Sequence, residues 1–343
     1  MQRIIDMEVI ALDKRITLRH GDGGLQTNKL IRDIFYKHFD NEILTGYQDS
    51  AIFQMEAGRL AYTTDSFVVK PIFFPGGDIG KLAVCGTVND LAAAGAVPLY
   101  LSAGFVIEEG FEIEKLYMIA KSMGDICKKV GAKIVAGDTK VVEKGLVDGV
   151  YINTSGIGRV HKFFNPRSIT SGDEIILTGT IGEHGTTILL ERNDLRLQGD
   201  FKSDCNPLSE IISELGDSMK YVKLMRDPTR GGIANALCEI SESHNIGTLI
   251  EEEKLQIRSA VKSVHELIGT DPLYFASEGM MILVVEKGFG TKILNIINTL
   301  DDCRNSQIIG KFDKTYSKVC LRTSLGGERI LTMLENQMIS RIC

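Results

Sequence analysis

The sequence has 343 residues, of which 43% are hydrophobic and 24% charged, and its formal net charge is −6. This length predicts two domains, each with its own core, and the composition is that of a soluble globular protein. The acidic balance argues against a nucleic-acid-binding protein, and a charged start without long apolar runs predicts a cytoplasmic protein that does not enter the membrane.

The cysteines and glycines indicate which kinds of binding site the sequence favours and which it argues against. The seven cysteines are scattered without a C-x-x-C pair, which argues against a zinc site or a disulfide framework. Six lie in or near apolar segments and are predicted to be buried, whereas Cys343 is the last residue of the sequence. The 35 glycines cluster beside acids and hydroxyls, which indicates backbone that approaches an anion.

The first motif in chain order is a glycine-rich loop. Residues 1–18 read as an extension or edge strand, and the loop His20–Gly24 then precedes a helical pattern. Such a loop can present N–H groups to a phosphate, or it can be a flexible connector.

Two acids and a helix follow. Asp49 and Asp65 each stand at the edge of a strand-like run, as turn acids do, and residues 71–81 fail as a Walker A loop because their spacing is short and Leu82 replaces the Ser or Thr. The helical pattern of residues 79–94 carries Asp90 in apolar surroundings. A carboxylate there is costly unless it is paired or bound to a cation, so Asp90 is either a metal ligand or a surface-facing acid.

A strand and a polar turn come next. Residues 99–107 predict a strand, 111–130 a helix, and 133–136 a strand that ends in a turn at Gly137–Lys140. An acid, a hydroxyl and a lysine in succession can hold a metal ion, a phosphate oxygen and a developing negative charge, although a polar turn is common without any such role.

The second half repeats the alternation of strand, glycine loop and helix. A domain boundary is predicted near residues 160–172, and a strand at 174–177 leads into a glycine loop and a helix. Asp227–Gly232 precedes another helix and suits an anion with its counter-cation. Glu278, before the buried strand 280–285, is either a base of raised pKa or a solvated turn residue.

These motifs together carry a family resemblance. In order and spacing, the chain resembles the HypE family of hydrogenase maturation proteins, within the ATP-binding superfamily of aminoimidazole ribonucleotide synthetase and selenophosphate synthetase. The matching segments are Pro71–Lys81, Gly137–Val142, Asp227–Gly232, Ser277–Gly279 and the terminal Arg341-Ile342-Cys343. The resemblance covers His20 to Cys343, with Ser340 in place of the family's usual proline and Glu183 in place of its usual aspartate.

The resemblance implies an α/β fold (mixed α+β) of two domains. An extension (1–18) would precede an ATP-binding and dimerisation domain (19–162), a C-terminal α/β domain with a mixed sheet flanked by helices (170–326) and a flexible tail (327–343). The N-terminal domains of two subunits would pair their sheets into a β-barrel, so a homodimer is expected.

The resemblance also implies an activity. With ATP and Mg²⁺, the enzyme would dehydrate an S-carbamoyl group on its own Cys343 to an S-thiocyanate, which supplies the cyanide ligand of a nickel–iron hydrogenase. The carbamoyltransferase HypF would be the carbamoyl donor and the HypC–HypD complex the cyanide acceptor.

The roles of single residues are carried over from the same resemblance. Cys343 would bear the reacting group, Lys140 would stabilise its charge and Glu278 would accept protons. His184 would either position the tail or cap a loop. The Mg²⁺ ligands would be Asp49, Asp65, Asp90 and Asp227. The nucleotide would contact His20, Gly21, Gly23, Gly24, Asp65, Lys81, Asn89, Asp90, Asp138, Thr139 and Asp227, with His20–Gly24 closing over the phosphates.

Two other functions fit the same motifs. One is a related ATP-dependent kinase or synthetase that phosphorylates a small oxygen substrate without using the tail. The other is a nucleotide-sensing scaffold for hydrogenase assembly, which the retained acids, Lys140 and Glu278 argue against.

Overall fold

The protein is described here by a computed structural model that covers residues 14–22, 24–44, 50–51, 58–193, 195, 197–335 and 342–343. Two large sheets, each with its own helices, form the predicted two-domain α/β fold. Within these ranges, no helix has the length and apolar character needed to cross a membrane.

The N-terminal part is an open sheet covered on one face. Its strands are β1 (Leu60–Phe67), β2 (Phe73–Phe74), β3 (Gly77–Asp78), β4 (Ala96–Glu108), β5 (Lys133–Val142) and β6 (Val150–Val160). Its helices are α1 (Leu25–Leu30), α2 (Lys37–Phe39), α3 (Ile79–Ala93) and α4 (Ile113–Val130), with a π-helical segment at Ile31–Tyr36. The four long strands have the order β1-β6-β4-β5. Buried residues alternate along β4 because successive side chains point to opposite faces, and α3 and α4 pack on the buried face.

The start of α3 is defined by Asp78. Its Oδ1 accepts hydrogen bonds from the backbone N–H groups of Gly80 (2.7 Å) and Lys81 (3.1 Å), which have no partner within the helix. Ser122 on α4 donates a 2.7 Å bond to the same oxygen. One side chain therefore caps α3 and joins it to α4.

The predicted turn at Gly137–Lys140 is wrong, because β5 continues through it to Val142. The parallel partner β4 is long enough to pair with the backbone of these residues, which the local sequence does not reveal. Gly137 provides space rather than a turn, since a Cβ there would lie 2.8 Å from the carbonyl oxygen of Ala103. Thr139 faces the helices, whereas Asp138 and Lys140 are exposed on the opposite face.

The C-terminal part is the expected mixed sheet flanked by helices. Its strands are β7 (Glu174–Leu177), β8 (Val222–Arg226), β9 (Thr248–Glu251), β10 (Ile282–Val285), β11 (Gln307–Phe312), β12 (Val319–Arg322) and β13 (Glu328–Leu331). Its helices are α5 (Glu183–Arg192), α6 (Glu210–Leu215), α7 (Gly232–His244), α8 (Ser259–Ile268) and α9 (Gly290–Ile297). The order is β13-β12-β9-β11-β7-β10-β8, with β9 and β12 parallel. Ile175 and Ile176, adjacent on β7, point into different cores, so both faces of this sheet are covered.

The described end of the N-terminal extension packs on the first domain. Ile16 is fully buried, and its backbone exchanges hydrogen bonds with Phe111 (2.7 Å) and Gly110 (2.8 Å). This pairing resembles the predicted edge strand, although residues 1–13 lie outside the described ranges. A helical turn at Leu18–His20 follows.

Candidate active site

A pocket of about 200 Å³ lies where β1 and α3 meet loops of the C-terminal part. It is lined by five of the predicted site residues: Asp65, Asp90, Asp227, Glu278 and Cys343. Thr64, Thr229 and Arg230 contribute further polar groups. Acids, an arginine and a thiol from distant parts of the sequence therefore meet in one place.

The close packing of α3 on β1 brings the first two acids together. Asp65 lies on β1, and Thr63 of the same strand donates a 2.7 Å hydrogen bond to Oδ2 of Asp90 near the end of α3. Gly86 permits this approach, because a Cβ there would lie 2.8 Å from the ring of Phe67.

The acids of this pocket raise one another's pKa values. Burial, followed by the charges of Asp90 and Asp65, raises the pKa of Asp227 to about 6. Burial also raises the pKa of Asp90, against the hydrogen bond from Thr63, while Arg230 lowers it. Carboxylates held together out of water favour protonation or a bound cation.

The donor set fits Mg²⁺ that shares its ligands with a phosphate. Within the described ranges, no three His, Cys, Asp or Glu side chains converge closely enough to hold a metal ion by themselves. Mg²⁺ at phosphate sites needs only one or two carboxylates, with water and phosphate oxygens as its other ligands. Asp65, Asp90 and Asp227 can supply such carboxylates, and Asp49 lies outside the described residues.

Glu278 is a buried acid with an unused acceptor. Only 2% of its surface is exposed, and its Oε1 has no hydrogen-bond partner in the described part of the chain. Burial, together with Cys205 and Asp227, raises the pKa of Glu278 well above its ordinary value. Burial therefore favours the neutral form of this carboxyl group, and a cation beside Asp227 would lower its pKa and favour the carboxylate that acts as a base.

The last residue, Cys343, lines the same pocket. Ile342 is buried in the N-terminal core, and Cys343 is half-buried. Burial, then the charge of Glu278, raises the pKa of the Cys343 thiol, while Arg230 lowers it. A neutral thiol is a poor nucleophile, so the pocket suits a group already attached to the sulfur better than attack by the sulfur.

Four predicted residues line a different cavity, of about 280 Å³, at the other edge of the N-terminal sheet. They are Gly21, Asp138, Thr139 and Lys140. Since β5 is three strands from β1 and neighbouring strands lie about 4.8 Å apart, roughly 14 Å separates the two edges. The Nζ of Lys140 lies 3.2 Å from Oδ1 of Asp138 on the open face. Within one chain, Lys140 is not brought to Cys343.

The remaining predicted nucleotide residues that the structure describes line neither pocket. His20 is buried with Nδ1 3.0 Å from Oγ1 of Thr17, and Gly24 directly precedes α1. The Nζ of Lys81 donates a 2.8 Å hydrogen bond to the carbonyl oxygen of Gly76. Gly23 lies outside the described residues.

Asn89 holds the loop that carries Glu278. Its Nδ2 donates 3.1 Å hydrogen bonds to the carbonyl oxygens of Glu278 and Asn206, and its Oδ1 accepts one of 2.8 Å from the N–H of Leu208. The side-chain amide of Asn89 thus joins α3 to two loops of the C-terminal part.

The sequence left the role of His184 open and gave no indication of two further polar residues of the site, Ser203 and Asp204. Asp204, whose pKa is raised to about 7 by burial, accepts 3.1 Å hydrogen bonds from the N–H groups of His184, Glu278 and Gly279. His184 and Ser203 form a second group beside the tail. The glycine loop before α5 was a signal for His184, but the segment around Ser203 and Asp204 has no periodic pattern.

Comparisons with known proteins cover almost the whole chain. Residues 47–160 match the family model "AIR synthase related protein, N-terminal domain", and residues 170–319 match its C-terminal counterpart. The chain is 43% identical over 334 residues to the carbamoyl dehydratase HypE of Rhizobium leguminosarum bv. viciae, with 96% of this chain and 95% of the relative covered.

Solved structures agree with these sequence matches. The crystal structure of a hydrogenase maturation protein HypE in complex with ATP superposes with a TM-score of 0.89 at 38% identity, covering 95% of this chain and 99% of that one. A chain of a HypE–HypF complex gives 0.79 at 45% identity, covering 89% and 99%.

Proposed function

Because this chain belongs to the HypE family, we propose that it is an ATP-dependent carbamoyl dehydratase of hydrogenase maturation. Its substrate is an S-carbamoyl group on Cys343, and its product is an S-thiocyanate that supplies cyanide to a nickel–iron hydrogenase. The observation that carries this proposal is the position of Cys343 beside Glu278 among the acids of one pocket.

The reaction removes the elements of water from an amide. The carbamoyl oxygen leaves as phosphate after phosphorylation by ATP, and both N–H protons leave as the C≡N bond forms. Phosphoryl transfer depends mainly on positioning and charge neutralisation. Mg²⁺, when bound, would supply that neutralisation. Asp65, Asp90 and Asp227 would hold the ion, and Arg230 adds a further positive charge at the pocket.

Proton removal is assigned to Glu278. Its Oε1, which has no hydrogen-bond partner among the residues that the structure describes, and its place beside Cys343 suit acceptance of the N–H protons. The raised pKa makes its carboxylate a stronger base once the charge of the acid cluster is compensated. The neutral Cys343 thiol fits a docked tail whose loading takes place elsewhere, on the carbamoyltransferase HypF, before cyanide passes to the HypC–HypD complex.

A homodimer would complete the site. Leu60 and Tyr62 are exposed on β1 (50% and 69%), and the sheet has an open face. We place the dimer contact on the domain formed by residues 19–162, with two sheets paired into a barrel. Asp138 and Lys140 lie on this face and would then meet the tail pocket of the second subunit.

We assign the remaining residue roles by domain: nucleotide contacts to residues 19–162, and the other roles to residues 170–326 and the tail. Gly21, Asp138 and Thr139 would contact the nucleotide, with His20, Gly23, Gly24, Lys81 and Asn89 around it. Residues 170–326 would supply Asp227 and Glu278, and the tail 327–343 would carry the substrate.

Intact mass spectrometry tests the proposal. After incubation with HypF, carbamoyl phosphate and ATP, Cys343 should gain a carbamoyl group that then loses one water, and a Cys343→Ala variant should gain nothing. An unmodified Cys343 alongside steady ATP turnover on a small oxygen substrate would instead support a related kinase. ATP binding without turnover of a carbamoylated tail would support a scaffold.

A further inference from the structure

His184 makes a direct contact with the backbone of the tail. It lies on α5, is fully buried, and its Nε2 is 2.8 Å from the carbonyl oxygen of Ile342, 158 residues along the chain. Its Nδ1 is 2.7 Å from Oγ of Ser203. The ring therefore links the residue next to Cys343 to the interior of the protein.

The hydrogen bonds that join Ser203, His184 and Ile342 allow only one assignment of donors and acceptors. Burial lowers the pKa of His184 to about 4, so the ring is neutral at pH 7. The Ile342 carbonyl can only accept, so Nε2 donates, and Nδ1 must then accept from the hydroxyl of Ser203. Oγ of Ser203 in turn accepts a 3.0 Å hydrogen bond from the N–H of Cys205. Ser203 thus sets the tautomer that His184 needs to bind Ile342.

Apolar residues enclose the same contact. The ring of Phe74 meets His184 edge-on at a centroid distance of 5.4 Å. The Ile342 side chain is 6% exposed and belongs to the core cluster that includes Phe74, Ile188 and Phe275. A buried side chain and a buried backbone hydrogen bond together define a receptor for Ile342.

We propose that His184, oriented by Ser203, is a positioning residue that holds the backbone of Ile342 and thereby seats the sulfur of Cys343 next to Glu278. The contact involves the carbonyl group of Ile342 and leaves the sulfur free, so it can hold the tail in the same place before and after carbamoylation. This inference deepens the proposed function and rests on it.

Alkylation of Cys343 measures this docking without ATP or any partner. The other six cysteines are buried, so N-ethylmaleimide should label Cys343 first in the folded protein. His184→Phe keeps a ring but loses the hydrogen bond to Ile342, and we expect the labelling rate to rise about tenfold, the equivalent of about 1.4 kcal/mol. Ser203→Ala should raise it by a smaller factor, because only the orientation of the ring is lost.

His265→Phe is the matched control. His265 is also buried, lies edge-on to Phe275 at 4.2 Å, and has a pKa lowered to about 4 by burial. Its hydrogen bonds go to Thr186 and Thr270, not to the tail. Labelling should stay at the wild-type rate in this variant. An equal rise in both ring variants, or none in His184→Phe, would overturn the proposal.

Two further measurements separate docking from folding and from catalysis. Ile342→Ala changes only the tail, so it should raise labelling even if His184→Phe fails to fold, and unchanged labelling in it would count against the receptor. In the complete reaction, His184→Phe should be carbamoylated by HypF at an undiminished rate but dehydrated more slowly. If wild type is never dehydrated, the proposed function fails, while the labelling result still decides the docking.

Discussion

At the scale of single residues, Glu278 combines burial, an oxygen without a hydrogen-bond partner among the described residues, and a neighbouring thiol. A buried polar atom without a partner costs free energy, so its retention beside Cys343 favours a role in the reaction. Because burial raises the pKa of this carboxyl group and disfavours its charged form, a neutral replacement should affect chemistry more than folding.

Replacing Glu278 with glutamine should therefore separate its effect on the reaction from its effect on folding. Glu278→Gln introduces a neutral amide of similar shape, so the fold should persist, while dehydration of carbamoylated Cys343 should slow by about 100-fold or more. Intact mass at successive times would follow the loss of water. Glu210→Gln, an exposed change on α6, serves as the control. Dehydration by Glu278→Gln at the wild-type rate would remove Glu278 from the mechanism.

The buried histidines predict a pH dependence of stability. Burial lowers the pKa of His265 to about 4, whereas an unfolded histidine titrates near 6.5. Between these values the unfolded state binds more protons, so this group's contribution to stability is present above pH 6.5 and lost as the pH falls to 4. The pKa of Asp204 is raised to about 7, so its contribution to stability is lost as the pH rises, opposite to that of His265. The informative quantity is therefore the difference in unfolding free energy between wild type and a variant that lacks His265.

Urea denaturation of wild type and His265→Gln at several pH values checks this dependence. The stability advantage of wild type over the variant should shrink by about 2 kcal/mol between pH 7 and pH 4, because the glutamine does not titrate. An advantage that stays constant with pH would contradict the buried neutral state of His265.

At the scale of elements, pairing between strands overrides local composition in β5. Glycine and polar residues favour a turn, yet the backbone of Gly137–Lys140 pairs with β4. The pairing leaves no room for a side chain at Gly137, where a Cβ would approach the carbonyl oxygen of Ala103. Gly104 on β4 has ample space, since the nearest atom to a Cβ there is 3.8 Å away.

Two alanine substitutions compare these glycines. Gly137→Ala should lower the free energy of unfolding by about 1–3 kcal/mol, because the strands must shift to admit the methyl group. Gly104→Ala should be neutral or slightly stabilising, since it only restricts the unfolded chain. Thermal or urea unfolding gives both values, and equal effects would contradict the close approach at Gly137.

At the scale of the whole molecule, the proposed catalytic groups lie on two faces of one sheet. Cys343 and Glu278 meet α3 on the covered side, while Lys140 lies on the open face at the far edge. About 14 Å separates the two edges, more than a lysine side chain can span. If Lys140 acts on the carbamoyl group, it must do so from a second subunit.

Mixed dimers test this arrangement. Lys140→Ala alone and Cys343→Ala alone should each be inactive in dehydration. After the two are unfolded and refolded together, activity should return to roughly a quarter of wild type: about half of the dimers are mixed, and each has one complete site. Mixing two Lys140→Ala preparations is the control. No recovery in the mixed sample would show that Lys140 acts within its own chain, and wild-type activity of Lys140→Ala alone would show that it takes no part in the reaction.

The sequence by itself determined the two-domain α/β class, elements such as α3, α4 and β7, and the motifs that identify the family. These features follow from hydrophobic periodicity and from spacing along the chain, which are local properties. Only the tertiary structure decided that Gly137–Lys140 is a strand, because its partner on β4 is more than 30 residues away. The tertiary structure also decided that His184 binds Ile342 and that Lys140 lies apart from Cys343. Contacts between distant residues depend on how sheets and helices pack, and a linear pattern does not encode which face or edge each side chain reaches.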